Sequence, residues 1–281
     1  RPKFHLYQPN IALISGIAWD HINVFPTYDN YVEQFEIFID KITNGGILVY
    51  NEDDAEVKRV SESATNPIRK LPYSTPAYSV SDGVTLLETP EGPMPIEVFG
   101  AHNLNNLAGA KWICQNMGVD EADFYEAIAS FKGASKRLEK IAEGKGRVAY
   151  KDFAHSPSKV AATTKAVKEQ YPNRTLVACL ELHTYSSLNA EFLKEYEGAL
   201  EYADEAVVFY SPDAVKIKQL EEVTYEQIAK AFNREDLIIY TNPAEFKQYL
   251  FNRNLDNSAL LLMSSGNYGG LNFDEVKQLI E

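Results

Sequence analysis

The chain has 281 residues, a length that predicts about two domains, each large enough to bury its own core. Its 40 Asp and Glu residues outnumber its 27 Lys and Arg residues, which gives a net charge of −13. No run rich in Lys or Arg offsets this excess locally. A nucleic-acid backbone is therefore not an expected partner, because it would be repelled by the chain.

The two cysteines, Cys114 and Cys179, are too few for a disulfide framework and lie outside any metal-binding spacing, which predicts buried thiols. Apolar runs such as residues 259–263 are far shorter than the roughly 18–20 residues that span a bilayer, and no apolar leader opens the chain. We therefore expect a cytoplasmic protein with no membrane partner.

The first predicted elements form one α/β unit. A strand is predicted at residues 11–15, a helix near residues 31–42 and a second strand at residues 46–50. The Asn44-Gly45-Gly46 turn ends the helix, because glycine accepts a positive φ.

The pattern then changes over the proline-rich stretch that follows. Alternating segments at residues 73–80 and 84–87, joined by an Asp82-Gly83 turn, predict antiparallel strands. Two helices are predicted next, at residues 103–117 and 121–131. A charged loop at 133–139 leaves the second of them, so we expect two domains, residues 1–135 and residues 136–281.

The second half has a regular alternation of strands and helices. Its apolar, β-rich runs lie at residues 147–153, 175–180, 205–210, 237–240 and 259–263. Helical patterns alternate with them at residues 158–170, 190–202, 224–232, 244–251 and 273–280. This order predicts right-handed βαβ units and a mainly parallel α/β sheet covered on both faces, with ligands at the carboxyl ends of the strands.

The Asp20-His21 pair directly follows the first predicted strand and its turn. This position places His21 at the carboxyl edge of a sheet, where a neutral imidazole can bind a cation. The structural alternative is a helix-capping Asp20 beside a His21 that only hydrogen-bonds locally.

The string GAHNLNN at residues 100–106 places Asn103 and Asn106 one helical turn apart at the start of a helix. Beside free backbone N–H groups, the two side-chain amides can contact a purine edge or a phosphate. A plain helix N-cap is the alternative.

Two further strings flank the expected domain boundary. FKGASKRLE contains Arg137, whose planar guanidinium can bind two phosphate oxygens at once, and KDFAHSPSKV places Asp152 and His155 after the first strand of the second domain. The alternatives are a solvent-exposed linker charge for Arg137 and an Asx-turn for Asp152.

Two later loops also follow predicted strands, LHTYSS at residues 182–187 and SSGNYGG at residues 264–270. Because ligands bind at strand ends in such sheets, His183, Ser264 and Asn267 are candidate substrate contacts. An ordinary turn is the alternative for each single residue of the second loop.

Taken in order, AWDHINVFP, GAHNLNN, FKGASKRLE and KDFAHSPSKV resemble the motifs of the Mur ligases, ATP-dependent enzymes that join amino acids or peptides to a UDP-linked muramic acid. The resemblance implies the C-terminal part of a central ATPase domain, followed by a Rossmann-like, doubly wound C-terminal domain. No P-loop ending in Gly-Lys-Thr or Gly-Lys-Ser occurs, so this chain is expected to be a fragment that is inactive alone.

The resemblance also implies roles in the first domain. His21 would help to bind a catalytic Mg²⁺, although Gly16 stands where the family usually has Asn and Asn23 where it often has Asp. Asn103 and Asn106 match the two Asn positions of the motif that contacts ATP.

In the second domain, Arg137 matches the Arg of the family's hinge motif and would contact phosphate. Asp152 and His155 match the family's Asp-Tyr-Ala-His-x-Pro motif near the nucleotide, with Phe153 in place of Tyr. The resemblance thus implies catalytic roles for Arg137, Asp152 and His155, and nucleotide binding by Arg137 and Asp152.

The implied reaction proceeds through an acyl phosphate, with ATP and Mg²⁺ as cofactors. ATP phosphorylates the muramoyl carboxylate of UDP-N-acetylmuramate, and the amine of a peptide or amino acid then attacks the carbonyl and expels phosphate.

The string DHINVFP, with the following helix and GGILVYNEDD, resembles the murein peptide ligase branch, which attaches the tripeptide L-Ala-γ-D-Glu-meso-diaminopimelate. Alanine-adding members carry Arg where Thr184 and Ser187 stand in this chain, which argues against alanine as the acceptor. The alternatives are a UDP-N-acetylmuramate–L-alanine ligase and a non-catalytic nucleotide-binding or regulatory module.

Overall fold

The fold was obtained as a computed structural model that describes residues 2–221 and 223–281. The chain forms two compact units, the first ending at Lys132 and the second beginning at Gly133. Within the described ranges, no helix is both long enough and apolar enough to cross a membrane.

A parallel sheet of three strands begins the first unit. β1 (Ile11–Ile14), β2 (Ile47–Asn51) and β3 (Arg69–Tyr73) lie in the order β1-β2-β3. Two helices connect them, α1 (Tyr28–Asp40) and α2 (Ala55–Ser63). This arrangement confirms the predicted α/β unit, and the sequence pattern missed α2 and β3.

Side-chain caps and apolar packing hold these two helices on the sheet. Thr27 accepts a hydrogen bond from the N–H of Asn30 at the start of α1, and Asp54 accepts from the N–H of Val57 at the start of α2. Val57 and Leu48 are fully buried in the core that the helices share with β1 and β2.

Three antiparallel strands follow in the first unit, namely β4 (Tyr78–Ser81), β5 (Val84–Thr89) and β6 (Gly92–Ile96). The predicted Asp82-Gly83 turn is confirmed, and both residues have positive φ values of 50° and 76°. β6 lies at the edge of its sheet, the position where a strand tolerates prolines such as its Pro93 and Pro95.

The single strand predicted at residues 73–80 is wrong. Tyr73 ends β3 in the first sheet, whereas Tyr78 begins β4 in the second. Thr75 lies between them and donates its N–H and hydroxyl to Asp53, and the next residue, Pro76, has no N–H to offer a strand partner. The two predicted helices are confirmed as α3 (Ala101–Asn116) and α4 (Glu121–Ala129).

A sheet of six strands forms the centre of the second unit, in the order β11-β10-β9-β12-β8-β7. Its strands are β7 (Glu139–Gly144), β8 (Arg147–Asp152), β9 (Thr175–Glu181), β10 (Glu205–Phe209), β11 (Ile238–Tyr240) and β12 (Ser258–Met263). All neighbouring strands are parallel except β7 and β8, which confirms the predicted mainly parallel sheet. The pattern missed only β7.

The helices of the second unit are α5 (Pro157–Gln170), α6 (Pro212–Ile217), α7 (Tyr225–Phe232), α8 (Pro243–Asn252) and α9 (Phe273–Ile280). Four of them were predicted, and the short α6 was not. The helix predicted at 190–202 is wrong, because the structure has only a 3₁₀ turn there, at Leu193–Tyr196, with another just before it at Ser186–Leu188. Asn189 turns the chain by accepting from two following N–H groups, and Gly198 has a φ of 73° that a helix does not allow.

Candidate functional site

Polar side chains of the second unit gather where three adjacent strands end. β12 lies between β8 and β9, and its last residue, Met263, pairs with Asp152 on one side and with Leu180 on the other. Asp152 and Glu181 are therefore at one edge of the sheet, and the loop that starts at Ser264 leaves the same edge. This carboxyl edge is where parallel α/β sheets bind ligands.

Asp152 is almost completely buried, and both of its carboxylate oxygens accept backbone hydrogen bonds. Oδ2 accepts from the N–H of Leu138 at 2.6 Å and Oδ1 accepts from the N–H of Ala154 at 2.5 Å, the second bond forming the Asx-turn considered above. Burial raises the pKa of Asp152, against the lowering effect of these hydrogen bonds and of the nearby Arg137 and Lys159 charges. The carboxylate thus anchors the loop that carries Arg137.

Arg137 is presented to solvent by an unusual backbone. The residues on either side of it, Lys136 and Leu138, have positive φ values of 57° and 43°, and the carbonyl of Lys136 accepts from the N–H of Phe153. The guanidinium carbon lies 5.3 Å from the centroid of the Phe153 ring. No carboxylate in the described part of the chain lies within 4.0 Å of this exposed guanidinium, so its hydrogen-bond donors are available to an anion.

His155 lies just beyond Asp152 and is buried. Its Nδ1 is 2.8 Å from the carbonyl oxygen of Phe153, so in the neutral imidazole Nδ1 carries the proton and Nε2 is an acceptor. Its own carbonyl accepts a hydrogen bond from the Tyr196 hydroxyl. The protein therefore selects one ring orientation and one tautomer of His155.

Glu181 is the last residue of β9 and is only 3% exposed. Its Oε2 accepts from the N–H of Tyr268 at 2.8 Å and from the hydroxyl of Ser264, and both donors belong to the loop at residues 264–270. Glu181 was not among the residues predicted from the sequence. The sequence feature that could have identified it is a charged residue at the end of an otherwise apolar run, TLVACLE.

The three candidate substrate contacts at this edge differ in availability. The Ser264 hydroxyl donates to Glu181 and accepts from the N–H of Gly266 at 2.7 Å, so the loop itself uses it. Asn267 is exposed, although its Oδ1 accepts from the N–H of Gly270 at 3.2 Å. The His183 side chain is 42% exposed, with its Nδ1 3.6 Å from Oε1 of Glu181.

Thr184 and Ser187 bind each other in a closed turn. The hydroxyl of Ser187 accepts from the N–H of Thr184 at 2.9 Å, and the hydroxyl of Thr184 accepts from the N–H of Ser187 at 3.1 Å. Ser187 is fully buried. These two positions thus form the base of the loop at residues 182–187 and extend no long side chain from it.

In the first unit, His21 follows β1 with an exposed imidazole, 68% accessible, and a positive φ of 55°. Its N–H donates to Oδ1 of Asp20, and its Nε2 lies 3.9 Å from Oδ2 of the same carboxylate. The helix-capping alternative for Asp20 is wrong, because Thr27 caps α1. His21 and Asp20 therefore offer an imidazole and a carboxylate at the carboxyl edge of the first sheet.

A polar network built on the buried side chains of Asn51 and Asn105 joins the ends of β2 and β3 to α3. The Asn105 amide nitrogen lies 3.0 Å from Oδ1 of Asn51 and 3.1 Å from the hydroxyl of Thr75. Thr75 donates its N–H to Asp53 at 2.7 Å, and the Asn51 amide donates to the carbonyl of Ser15 beyond β1. Burial raises the pKa of Asp53, but hydrogen bonds, chiefly from Thr75, outweigh it and hold that pKa below its usual range.

The structure does not bring Asn103 and Asn106 into this network. The Asn103 amide donates to the carbonyl of Phe99 at 2.9 Å, and Asn106 is exposed. The N-cap of α3 is Gly100, and His102 and Asn103 lie inside the helix, so the alternative that made them turn residues at a helix cap is wrong. Sequence reasoning missed Asn105, which lies inside the same motif on the opposite, buried side of the helix.

The described residues contain no group of three or more His, Cys, Asp and Glu side chains placed to hold a metal ion. Asp20 and His21 provide at most two ligands. This small set fits Mg²⁺ that is bound mainly through substrate phosphates and water. The unpaired guanidinium of Arg137 likewise fits a phosphate group.

Two family models match the chain. The Mur ligase middle domain matches residues 3–114, and the Mur ligase glutamate ligase domain matches residues 136–266. The UDP-N-acetylmuramate–L-alanine ligase of Caldicellulosiruptor bescii is 30% identical over 218 residues, which cover 73% of this chain and 48% of that protein. The chain spans about half the length of the first curated relatives that it matches.

Solved structures share the fold. A murein peptide ligase from Psychrobacter arcticus aligns with a TM-score of 0.64 and 18% identity over 100% of this chain and 60% of its own. The MurF ligase from Thermotoga maritima in complex with ADP aligns with a TM-score of 0.69 and 17% identity over 97% of this chain and 61% of its own. With both domain models matched in order, the chain belongs to the Mur ligase family.

Proposed function

We propose that the chain is part of a cytoplasmic, ATP-dependent ligase of peptidoglycan synthesis or recycling that joins a peptide to UDP-N-acetylmuramate through an acyl phosphate. The two matched domains and the name of the Caldicellulosiruptor relative support the ligase and its UDP-N-acetylmuramate substrate. The activity proposed here is that of the whole protein, of which these residues form a part.

We propose the domain division at residues 1–135 and 136–281. In this proposal the first domain is the C-terminal part of the ATP-binding domain, with Asn103 and Asn106 near the nucleotide. His21 and Asp20 would hold Mg²⁺, whose charge would offset the repulsion between nucleotide phosphates and an acidic protein.

Arg137 would bind the phosphoryl group that is transferred. Its exposed guanidinium has no carboxylate partner in the described ranges, and a planar fork suits two phosphate oxygens. Asp152 would act on Arg137 through the backbone, because its two oxygens already accept from the N–H groups of Leu138 and Ala154. His155 would lie near the nucleotide, with its ring oriented by the contact of Nδ1 with the carbonyl of Phe153.

The choice of a peptide acceptor depends on one observation, the closed turn formed by Thr184 and Ser187. Where alanine-adding members carry arginines, these side chains bind each other, and Ser187 is buried. A guanidinium that could hold the carboxylate of a free amino acid is therefore missing from this loop. His183 and Asn267 remain the candidate contacts for a longer acceptor.

The second candidate is a UDP-N-acetylmuramate–L-alanine ligase. The similarity to curated proteins of that name favours it, since the first of them is 30% identical over 73% of the chain.

A competition experiment separates the two. The full-length protein would receive equal concentrations of L-alanine and the tripeptide L-Ala-γ-D-Glu-meso-diaminopimelate, with UDP-N-acetylmuramate, ATP and Mg²⁺, and both products would be measured by mass. Specificity is a difference of affinities, so we expect the tripeptide product to exceed the alanine product. Predominance of the alanine product would select the second candidate, and absence of both would refute the ligase.

A further inference from the structure

Glu181 is a buried carboxylate without a strong cationic partner. It is 3% exposed, and no Lys or Arg nitrogen in the described ranges lies within 4.0 Å of its oxygens. Burial of a carboxylate is costly unless hydrogen bonds or an opposite charge compensate for it. The position at the ligand-binding edge of the sheet indicates that this cost serves more than packing.

The two oxygens of this carboxylate have different neighbours. Oε2 holds the loop at residues 264–270 through the N–H of Tyr268 and the hydroxyl of Ser264. Oε1 faces the imidazole of His183, whose Nδ1 is 3.6 Å away. One oxygen thus fixes the carboxylate in place, and the other faces a half-exposed histidine.

Gly266 lets the loop close over this pair. A Cβ at residue 266 would lie 2.8 Å from Oε2 and 3.1 Å from Oε1 of Glu181, and 3.0 Å from Cγ of His183. Any larger residue would therefore push the carboxylate or the imidazole away. The backbone thus approaches the Glu181–His183 contact closely, while the His183 side chain remains 42% exposed.

We propose that His183 accepts a proton from the ammonium group of the incoming acceptor and that Glu181 is the residue that positions and supports it. This inference rests on the proposed ligase function. A proton on Nδ1 directed at Glu181 leaves Nε2 as the acceptor, and the buried carboxylate stabilises the imidazolium that forms. A small rotation of the ring would shorten the 3.6 Å separation to hydrogen-bond length, as catalytic contacts often tighten when substrate binds.

The protons and electrons of this step balance. The acceptor amine arrives as an ammonium ion, and Nε2 of His183 takes one proton, which frees the nitrogen lone pair. The new N–C bond forms at the acyl carbonyl, the C–O bond to phosphate breaks, and phosphate leaves with that electron pair. The second amine proton goes to the departing phosphate or to water, and His183 returns its own proton to water.

Three other titratable groups at this edge, Cys179, Tyr268 and Asp152, do not supply the base. The Cys179 thiol and the Tyr268 phenol are buried, and burial raises the pKa of each, so both stay neutral near pH 7. The Tyr268 hydroxyl lies 2.7 Å from the carbonyl of Cys179 and 2.8 Å from that of Met263, away from the loop surface. The carboxylate of Asp152 is occupied by backbone N–H groups.

The test uses His183→Gln and Glu181→Gln in the full-length protein, with Glu191→Gln as a matched control. Glu191 is an exposed carboxylate in the segment that follows β9. Two reactions would be followed. The first is acyl-phosphate formation without an acceptor, detected by ¹⁸O exchange between bridging and non-bridging positions of ATP, and the second is tripeptide ligation from pH 7 to pH 9.

We expect the isotope exchange to be unchanged in both variants. Ligation should fall by about tenfold or more at pH 7, since only about one in ten peptide amino groups with a pKa near 8 is unprotonated there. The deficit should shrink to about twofold at pH 9, where the free amine no longer needs a base. The control should follow the wild type at every pH.

Two results would overturn the proposal. A ligation deficit that is the same at pH 7 and pH 9 would assign a structural role to both residues, and wild-type activity in His183→Gln would exclude the histidine as a base. Absence of isotope exchange in the wild-type protein would refute the ligase function itself, and with it this inference.

Discussion

The carboxyl edges of the two sheets use buried polar side chains in different ways. In the first unit, the network of Asn51, Thr75 and Asn105 joins three strand ends to a helix, and the predicted ligand contacts lie outside it. In the second unit, Asp152 and Glu181 each bind the backbone of a loop that carries an exposed, predicted contact. In both units the buried polar groups at the strand ends form a scaffold, and the exposed residues next to them are the proposed ligand contacts.

The largest expected effect is a loss of activity on substitution of the exposed residue Arg137. Arg137→Lys in the full-length protein should lower kcat by about 10²–10³-fold, because an ammonium cannot make the two parallel hydrogen bonds of a guanidinium to a phosphoryl group. The melting temperature should not change, since Arg137 is exposed and has no carboxylate partner within the described part of the chain. Steady-state kinetics and thermal melting measure the two quantities.

Arg69→Lys is the matched control, because Arg69 is also exposed and lies on β3 of the first unit. It should leave both kcat and the melting temperature unchanged. Full activity of Arg137→Lys would show that Arg137 is only a linker charge.

Two neighbouring asparagines of the first unit, one buried and one exposed, test whether buried residues maintain stability and exposed residues bind ligand. Asn105→Ala should lower the free energy of unfolding by about 1–3 kcal/mol, because Asn51 and Thr75 lose a buried hydrogen-bond partner. Asn106→Ala should leave stability unchanged and weaken nucleotide binding, since Asn106 is exposed. Urea denaturation and nucleotide titration of the full-length protein measure the two effects. Weaker nucleotide binding in Asn105→Ala with full stability, and lower stability in Asn106→Ala with full binding, would contradict the prediction.

The pH dependence of stability tests the contribution of Asp53 to the polar network of the first unit. Its pKa is lowered in the folded state, so the carboxylate contributes stability that is present above its unfolded pKa and is lost as pH falls through the lower folded pKa. We expect Asp53→Asn to lose stability at neutral pH and to become less sensitive to acid below about pH 4 than the wild type. Thermal melting from pH 3 to pH 7 measures this. Parallel curves for the two proteins would contradict it.

The smallest effect is expected at Tyr73, the buried last residue of β3. Burial, with a smaller contribution from Asp53, raises the pKa of Tyr73 to about 12, and its hydroxyl has no hydrogen-bond partner among the described residues. Tyr73→Phe should therefore leave the free energy of unfolding at pH 7 unchanged or raise it by up to about 1 kcal/mol. A loss of more than that amount in urea denaturation would reveal a partner of the hydroxyl.

Sequence periodicity predicted the parallel sheet of the second unit well, because strands buried on both faces are continuous apolar runs that alternate with helices. It failed at residues 190–202. Phe192, Leu193 and Tyr196 are spaced like one face of a helix, yet they are buried around short 3₁₀ turns. Local spacing cannot distinguish these two outcomes, because the side-chain capping by Asn189 and the turn at Gly198 decide between them.

By itself, the sequence determined the family and the alternation of strands and helices, and it is the source of the prediction that Arg137 and His183 contact ligand. These features depend on residue type and on spacing along the chain. The tertiary structure alone decided which polar residues meet, because Glu181 and Ser264 are 83 residues apart and Asn51 and Asn105 are 54 apart. Their pairing follows from the placement of β12 beside β9 and of α3 beside β2, and no local pattern encodes such a contact.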